Sequence, residues 1–62
     1  MKGLLIMIQI YFHRDNETKL GKEFNDNEYY SAMMYYYYAK DYVKQYNNVT
    51  VSITSNLTAK AI

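Results

Sequence analysis

The sequence predicts a small α+β domain: a β-hairpin, one long helix and a closing strand. The three strands are expected to form an antiparallel sheet in the order 2-1-3, with the helix packed on one face. Three patterns support this prediction: an apolar stretch over residues 4–13, a helix-capping pattern at Asn25, and strict apolar–polar alternation over residues 49–54. With 62 residues, the chain is expected to be a single domain spanning residues 1–62.

The apolar stretch over residues 4–13 predicts the central strand, because its even positions are all apolar and its odd positions mostly so. The polar cluster at residues 14–18 predicts a turn, and residues 19–23 predict a short, weak second strand. Residues 49–54 alternate β-branched apolar with polar residues and predict the third strand. In residues 57–61 the odd positions are again apolar, so these residues either prolong this strand or fray.

The predicted helix covers residues 26–46. Asn25 is a suitable N-cap, and Glu28, three residues later, completes a capping box. Asn47 and Asn48 are suitable stop residues because asparagine tolerates a left-handed conformation. A strand of this length without alternation would be atypical, although tyrosine favours sheets.

The predicted connections define which faces are covered. A hairpin pairs strands one and two, and a right-handed crossover through the helix places strand three beside strand one. One helix covers one face of this sheet. The other face would carry Leu5, Met7, Gln9 and Tyr11 or the opposite set, and we expect it to be too apolar to face water alone.

The tyrosine-rich helix has two predicted faces, because successive helical positions lie 100° apart. One sector is expected to face the sheet: Ala32, Tyr35, Tyr36, Ala39, Tyr42, Val43 and Tyr46. The opposite sector carries polar residues typical of a solvated face, but also four large side chains: Tyr30, Met34, Tyr37 and Tyr38.

These four side chains, with Met7 and Tyr11 on the open sheet face, are the predicted interface residues. A single half-exposed tyrosine is ordinary, since its hydroxyl can stay in water. A group of this composition is instead typical of interface cores. So small a chain without disulfides also gains stability by association, and a symmetric homodimer is the commonest form. The chain itself and a larger protein are therefore the predicted partners.

Composition argues against several chemistries. The chain has no cysteine and a formal net charge of +1, so thiolate sites and strong attraction of phosphate are excluded. His13, with Asp15 and Glu17 nearby, is the one candidate for metal or acid–base chemistry, and a strand-end histidine beside a polar turn is ordinary. We therefore expect no catalytic residue, no cofactor, no metal and no enzymatic activity.

Nucleic acid and membrane are two further classes of partner. Tyrosines interleaved with Lys40 and Lys44 can stack bases and contact phosphates, but Asp41 lies among them and no basic stripe is evident. Single-stranded nucleic-acid binding is kept as an alternative, as is a structural or assembly subunit. No segment approaches the roughly 20 apolar residues that span a bilayer. The apolar start is interrupted at Gln9 without a signal-peptide cleavage site, so a cytoplasmic location is expected.

In size, lack of cysteine, abundance of residue types with AT-rich codons and order of elements, the whole chain resembles the small anti-CRISPR and related anti-defence proteins of bacteriophages. Those families share little sequence, so no functional residue is carried over. The resemblance implies a non-enzymatic inhibitor, often a homodimer, that acts in the host cytoplasm by binding and blocking a bacterial defence protein.

Overall fold

The computed structural model describes residues 2–61, and the side chains of residues 3–57. Its elements are β1 (Lys2–Arg14), β2 (Glu17–Asn25), a 3₁₀ turn (Asp26–Glu28), α1 (Tyr29–Val43) and β3 (Val49–Ala61). The strands form one sheet in the order β2-β1-β3, and both neighbouring pairs are antiparallel. The predicted α+β fold and strand order are confirmed.

A tight turn joins β1 to β2. Arg14 pairs with Glu17, so only Asp15 and Asn16 lie between the strands. Asp15 has a φ of 54°, a left-handed conformation that aspartate tolerates better than most residues. Asn48, just before β3, donates from Nδ2 to Asp15 Oδ1 at 2.6 Å. Because the turn is shorter than predicted, β2 is longer than the expected residues 19–23.

Gly21 forms a bulge in β2. The register shifts there, because Ile10 pairs with Lys22 whereas Tyr11 pairs with Leu20. A Cβ on Gly21 would lie 2.7 Å from Phe12 Cδ2 and 3.2 Å from the Ile10 carbonyl oxygen. The Phe12 ring therefore occupies the space a side chain would need, which explains why glycine suits this position.

β1 and β3 pair along their whole length, from Lys2 with Ala61 to Arg14 with Val49. Residues 57–61 thus prolong β3, one of the two predicted outcomes. β2 pairs with β1 only from Met7 onward. Residues 2–6 of β1 and 57–61 of β3 consequently form a two-stranded extension, here called the arm, which gives the domain a longest dimension of 43 Å.

The core lies between α1 and the sheet. Ile10 is fully buried, and it clusters with Ile8, Phe24 and Ala32. The rings of Phe24 and Tyr35 meet edge to face with centroids 5.9 Å apart. Ala32 is also fully buried, and a side chain this small lets the helix approach the sheet closely.

The start of the helical segment follows the predicted capping pattern. The backbone N–H of Asn25 donates to Glu28 Oε1 at 3.0 Å, as in a capping box. The first turn is 3₁₀, so the α-helix proper begins at Tyr29. It ends at Val43 and not at residue 46, because the next turns close with tighter bonds from Lys44 N–H to the Asp41 carbonyl and from Tyr46 N–H to the Val43 carbonyl.

Replacing Asn25 by Ala is expected to cost about 1 kcal/mol of unfolding free energy, because the cap side chain satisfies an N–H that the helix start leaves free. Urea denaturation followed by circular dichroism measures the loss. Asn27→Ala is the matched control, because Asn27 lies inside the same turn and does not occupy the cap. Equal stability losses in the two variants would contradict the capping role.

Candidate protein-interaction surface

The face of α1 that points away from the sheet carries a continuous set of large exposed side chains. Tyr30 is 85% exposed, Met34 54%, Tyr37 58% and Tyr38 71%. They fall in one helical sector, opposite the buried Ala32, Ala39 and Val43. We call these four residues the outer patch. All four predicted helix positions are therefore on the surface and on one side of the domain.

A carboxylate borders the outer patch. Met34, Tyr37, Tyr38 and Asp41 line a shallow cavity of about 310 Å³. Asp41 Oδ1 lies 3.7 Å from Lys44 Nζ, and both side chains are largely exposed, so this ion pair adds little stability. The surface thus combines aromatic rings and a thioether with one acidic group. Asp41 was not among the predicted interface residues, although helical spacing places it beside Tyr37 and Tyr38.

Tyr42 and Tyr46 do not join the core, contrary to the prediction that they face the sheet. They are 57% and 44% exposed. Tyr42 lies at the margin of the buried sector, whose centre near the helix end is Val43, and Tyr46 follows the end of the α-helix. Their hydroxyls are 3.2 Å apart. With Phe12 and Arg14 they border an open cavity of about 370 Å³ at the end of the hairpin.

The hydrogen bond with Tyr42 raises the pKa of Tyr46 above its usual value, while the nearby Arg14 opposes this with a smaller effect. A raised pKa means that the fold favours the protonated hydroxyl. The contribution of this hydrogen bond to folding stability is fully present below the ordinary tyrosine pKa of about 10. It is lost as pH rises through the folded-state pKa of Tyr46.

Tyr42→Phe is expected to lower the Tyr46 pKa toward the ordinary value, because the variant removes the hydroxyl that raises it. Nuclear magnetic resonance titration of the Tyr46 ring measures this pKa directly. Tyr29→Phe, a change on another part of the helix, should leave it unaltered. An unchanged Tyr46 pKa in Tyr42→Phe would contradict the role of this hydrogen bond.

Around Gln9, the sheet face away from the helix is a polar network, so this part of the face is not too apolar for water, contrary to our expectation. Gln9 on β1 donates from Nε2 to Glu23 Oε2 on β2 at 2.7 Å. Its Oε1 accepts from Asn56 Nδ2 on β3 at 2.7 Å and from the Tyr11 hydroxyl at 3.0 Å. The neighbouring strands supply Glu23 and Asn56, and only the pairing register reveals these two partners.

The two predicted interface residues on this face are separate from the outer patch. Met7 is only 6% exposed, so it offers little surface to a partner. Tyr11 is half-buried, with its hydroxyl bonded to Gln9. Because odd and even positions of β1 point to opposite sides of the sheet, Met7 and Tyr11 face away from α1. The six predicted residues thus do not form one surface.

His13 bridges the two outer strands. Its Nδ1 lies 3.0 Å from Thr18 Oγ1 on β2, and its Nε2 lies 2.7 Å from Ser52 Oγ on β3. Across the described residues, no cluster of three or more His, Asp or Glu side chains is placed to hold a metal ion. His13 is therefore hydrogen-bonded across the sheet to the hydroxyl groups of Thr18 and Ser52.

Nothing among protein-family models, curated proteins or solved structures matches this chain. Over residues 2–61, no helix combines the length and apolar character required to cross a bilayer.

Proposed function

We propose that this protein is a non-enzymatic protein-binding module and that the outer patch docks on a partner protein. The observation that supports this proposal is the exposure of four contiguous large side chains, 54–85% each, on the helix face opposite the core. Protein surfaces seldom leave such a group uncovered without a binding role. Tyrosines supply much contact area at low cost in side-chain entropy, and they are enriched among the residues that dominate binding energy.

The chemistry of the patch favours a partner surface that presents a lysine or arginine within an apolar rim. The faces of tyrosine rings attract cations, and the Asp41 carboxylate beside Tyr37 and Tyr38 adds an opposite charge. Met34 gives an adaptable apolar contact at the same site.

The same details favour protein over single-stranded nucleic acid. The Lys40 ammonium lies over the Tyr36 ring, 5.3 Å from its centroid, and Lys44 is paired with Asp41. Neither lysine lines the cavity of the outer patch, and the Asp41 carboxylate that does line it would repel phosphate. We expect no binding of single-stranded oligonucleotides at low salt. Binding that weakens steeply as salt rises would support the alternative function.

For the partner, we propose a larger bacterial defence protein, bound and blocked stoichiometrically in the host cytoplasm. Support comes from the resemblance in size, composition and element order to phage anti-defence inhibitors. A structural or assembly role is the competing proposal. Recovery of a nuclease, helicase or signalling component with the chain would favour inhibition, whereas recovery of virion components would favour assembly.

The test compares two variants in capture experiments from bacterial lysate. Met34→Ala combined with Tyr37→Ala removes part of the outer patch. Tyr42→Ala is the matched control, since Tyr42 and Tyr37 are 57% and 58% exposed. Partners bound through the outer patch should still be captured by Tyr42→Ala and be lost from the double variant. Truncating one dominant interface residue costs about 2 kcal/mol of binding free energy, which weakens binding on the order of thirtyfold.

Circular dichroism of the double variant provides the control for folding. Retained helix content is expected, because Met34 and Tyr37 lie outside the core. Equal capture by the wild-type chain and the double variant would contradict the role of the outer patch.

A further inference from the structure

The arm leaves one strand edge of β1 uncovered. β2 ends at Asn25, opposite Met7, so within the described chain no strand pairs with the outer side of residues 2–6. Their other side is fully paired with β3. Along a free edge, backbone N–H and C=O groups point outward, ready to pair with another strand.

The described side chains of the arm, in residues 3–6 and at Leu57, are apolar on both faces. Leu4 is 66% exposed and Ile6 48% on the helix side, and Leu5 is 37% exposed on the other side. Leu57 on β3, paired with Ile6, is 64% exposed. The cause is a length mismatch: α1 has 15 residues and is about 22 Å long, whereas the domain extends 43 Å. The helix covers Ile8 and Ile10 but not the arm.

The other exposed edges of the described sheet carry more polar side chains. Lys19 and Lys22 lie on the outer strand β2, and edge lysines oppose the addition of a further strand. On β3, the face away from the helix carries Thr50, Ser52 and Thr54. In residues 2–6 of β1, Lys2 is the single charged residue, and the segment from Gly3 to Ile6 carries neither a charge nor a polar side chain.

We propose that a second copy of this chain covers this edge, with residues 2–6 of the two copies paired antiparallel across a two-fold axis at Leu4. An antiparallel pair of identical segments is self-complementary, so each copy offers the same surface. In this register Leu4 of one copy lies opposite Leu4 of the other, and Gly3 of each copy lies opposite Leu5 of the other. The end of β2 at Asn25 blocks this edge from Met7 onward, so the overlap cannot extend in that direction. The two sheets become continuous, and the outer patch is left free, so this pairing does not depend on the proposed function.

The exposed area of the chain supports this occupant. The chain exposes 4898 Å². A compact protein of 7.4 kDa exposes about 4,200 Å², so the excess is about 700 Å². The exposed side chains of the outer patch and of the arm share this excess, and pairing of residues 2–6 would cover the part that belongs to the arm. A formal net charge of +1 imposes little repulsion between copies.

Cysteine cross-linking tests this pairing, since the natural chain has no cysteine. In the full chain, Leu4→Cys places two thiols near the two-fold axis, where directly opposed Cβ atoms lie about 5 Å apart. A short bis-maleimide should link Leu4→Cys into dimers at micromolar concentration on the order of a hundredfold faster than Leu20→Cys, because the effective concentration within a pair is about millimolar. Leu20 is the control because it is 52% exposed and lies near the hairpin end.

A charge at the axis gives the second measurement. Leu4→Lys should reduce the sedimenting mass to that of one chain without changing the circular dichroism spectrum, whereas Leu20→Lys should sediment as the wild type does. The proposal is overturned if Leu4→Cys cross-links no faster than Leu20→Cys, or if Leu4→Lys associates as the wild type does.

Discussion

Ile10→Ala is expected to remove most of the stability of this domain. Ile10 is fully buried at the centre of the core, and truncating such a side chain typically costs about 2–5 kcal/mol. At 62 residues, the total unfolding free energy expected is about 3–9 kcal/mol. The midpoint of urea denaturation, followed by circular dichroism, should therefore fall sharply, and part of the variant should be unfolded without denaturant.

Ile6→Ala is the matched control for this prediction. Ile6 lies on the same strand and the same face as Ile10, but it is 48% exposed because α1 does not reach the arm. Its truncation should cost less than half as much as that of Ile10. Similar losses in the two variants would mean that the core does not end where the structure places it.

Ala32→Leu is expected to destabilise the domain by about 1–3 kcal/mol, the usual cost of forcing extra methyl groups into a packed core. Ala32 has no exposed surface and clusters with Ile8, Ile10 and Phe24, so a larger side chain must push the helix away from the sheet. Thermal or urea denaturation measures the loss.

Ser31→Leu separates packing from helix propensity. Ser31 is the neighbouring helix position and is exposed, so leucine there should leave stability unchanged or raise it slightly, since leucine is the better helix former. The reverse order of stabilities would show that the helix is rotated about its axis. The outer patch would then no longer be the exposed face.

Local signals in the sequence were sufficient for the architecture. The even apolar positions of β1, the Asn25 and Glu28 capping pattern, and the alternation after residue 48 each act over a few residues, and together they predict the elements and their order. The exposed positions of Tyr30, Met34, Tyr37 and Tyr38 follow from helical geometry once the buried alanines fix the phase.

What the sequence did not predict depends on contacts between distant segments. The polar partners of Gln9 come from β2 and β3, and only the register brings them together. The helix end at Val43 and the exposure of Tyr42 depend on the length over which α1 packs against the sheet. The free edge of the arm results from the unequal lengths of β1 and β2, and strand ends are set by pairing partners more than by local pattern.

This fold leaves large apolar side chains exposed on the outer patch and the arm, and we propose that another chain covers part of this surface. The molar mass of the purified protein, measured by light scattering across a concentration series, tests this proposal. We expect a mass that rises with concentration toward twice the 7.4 kDa of one chain. A mass of 7.4 kDa at every concentration, with an intact circular dichroism spectrum, would contradict it.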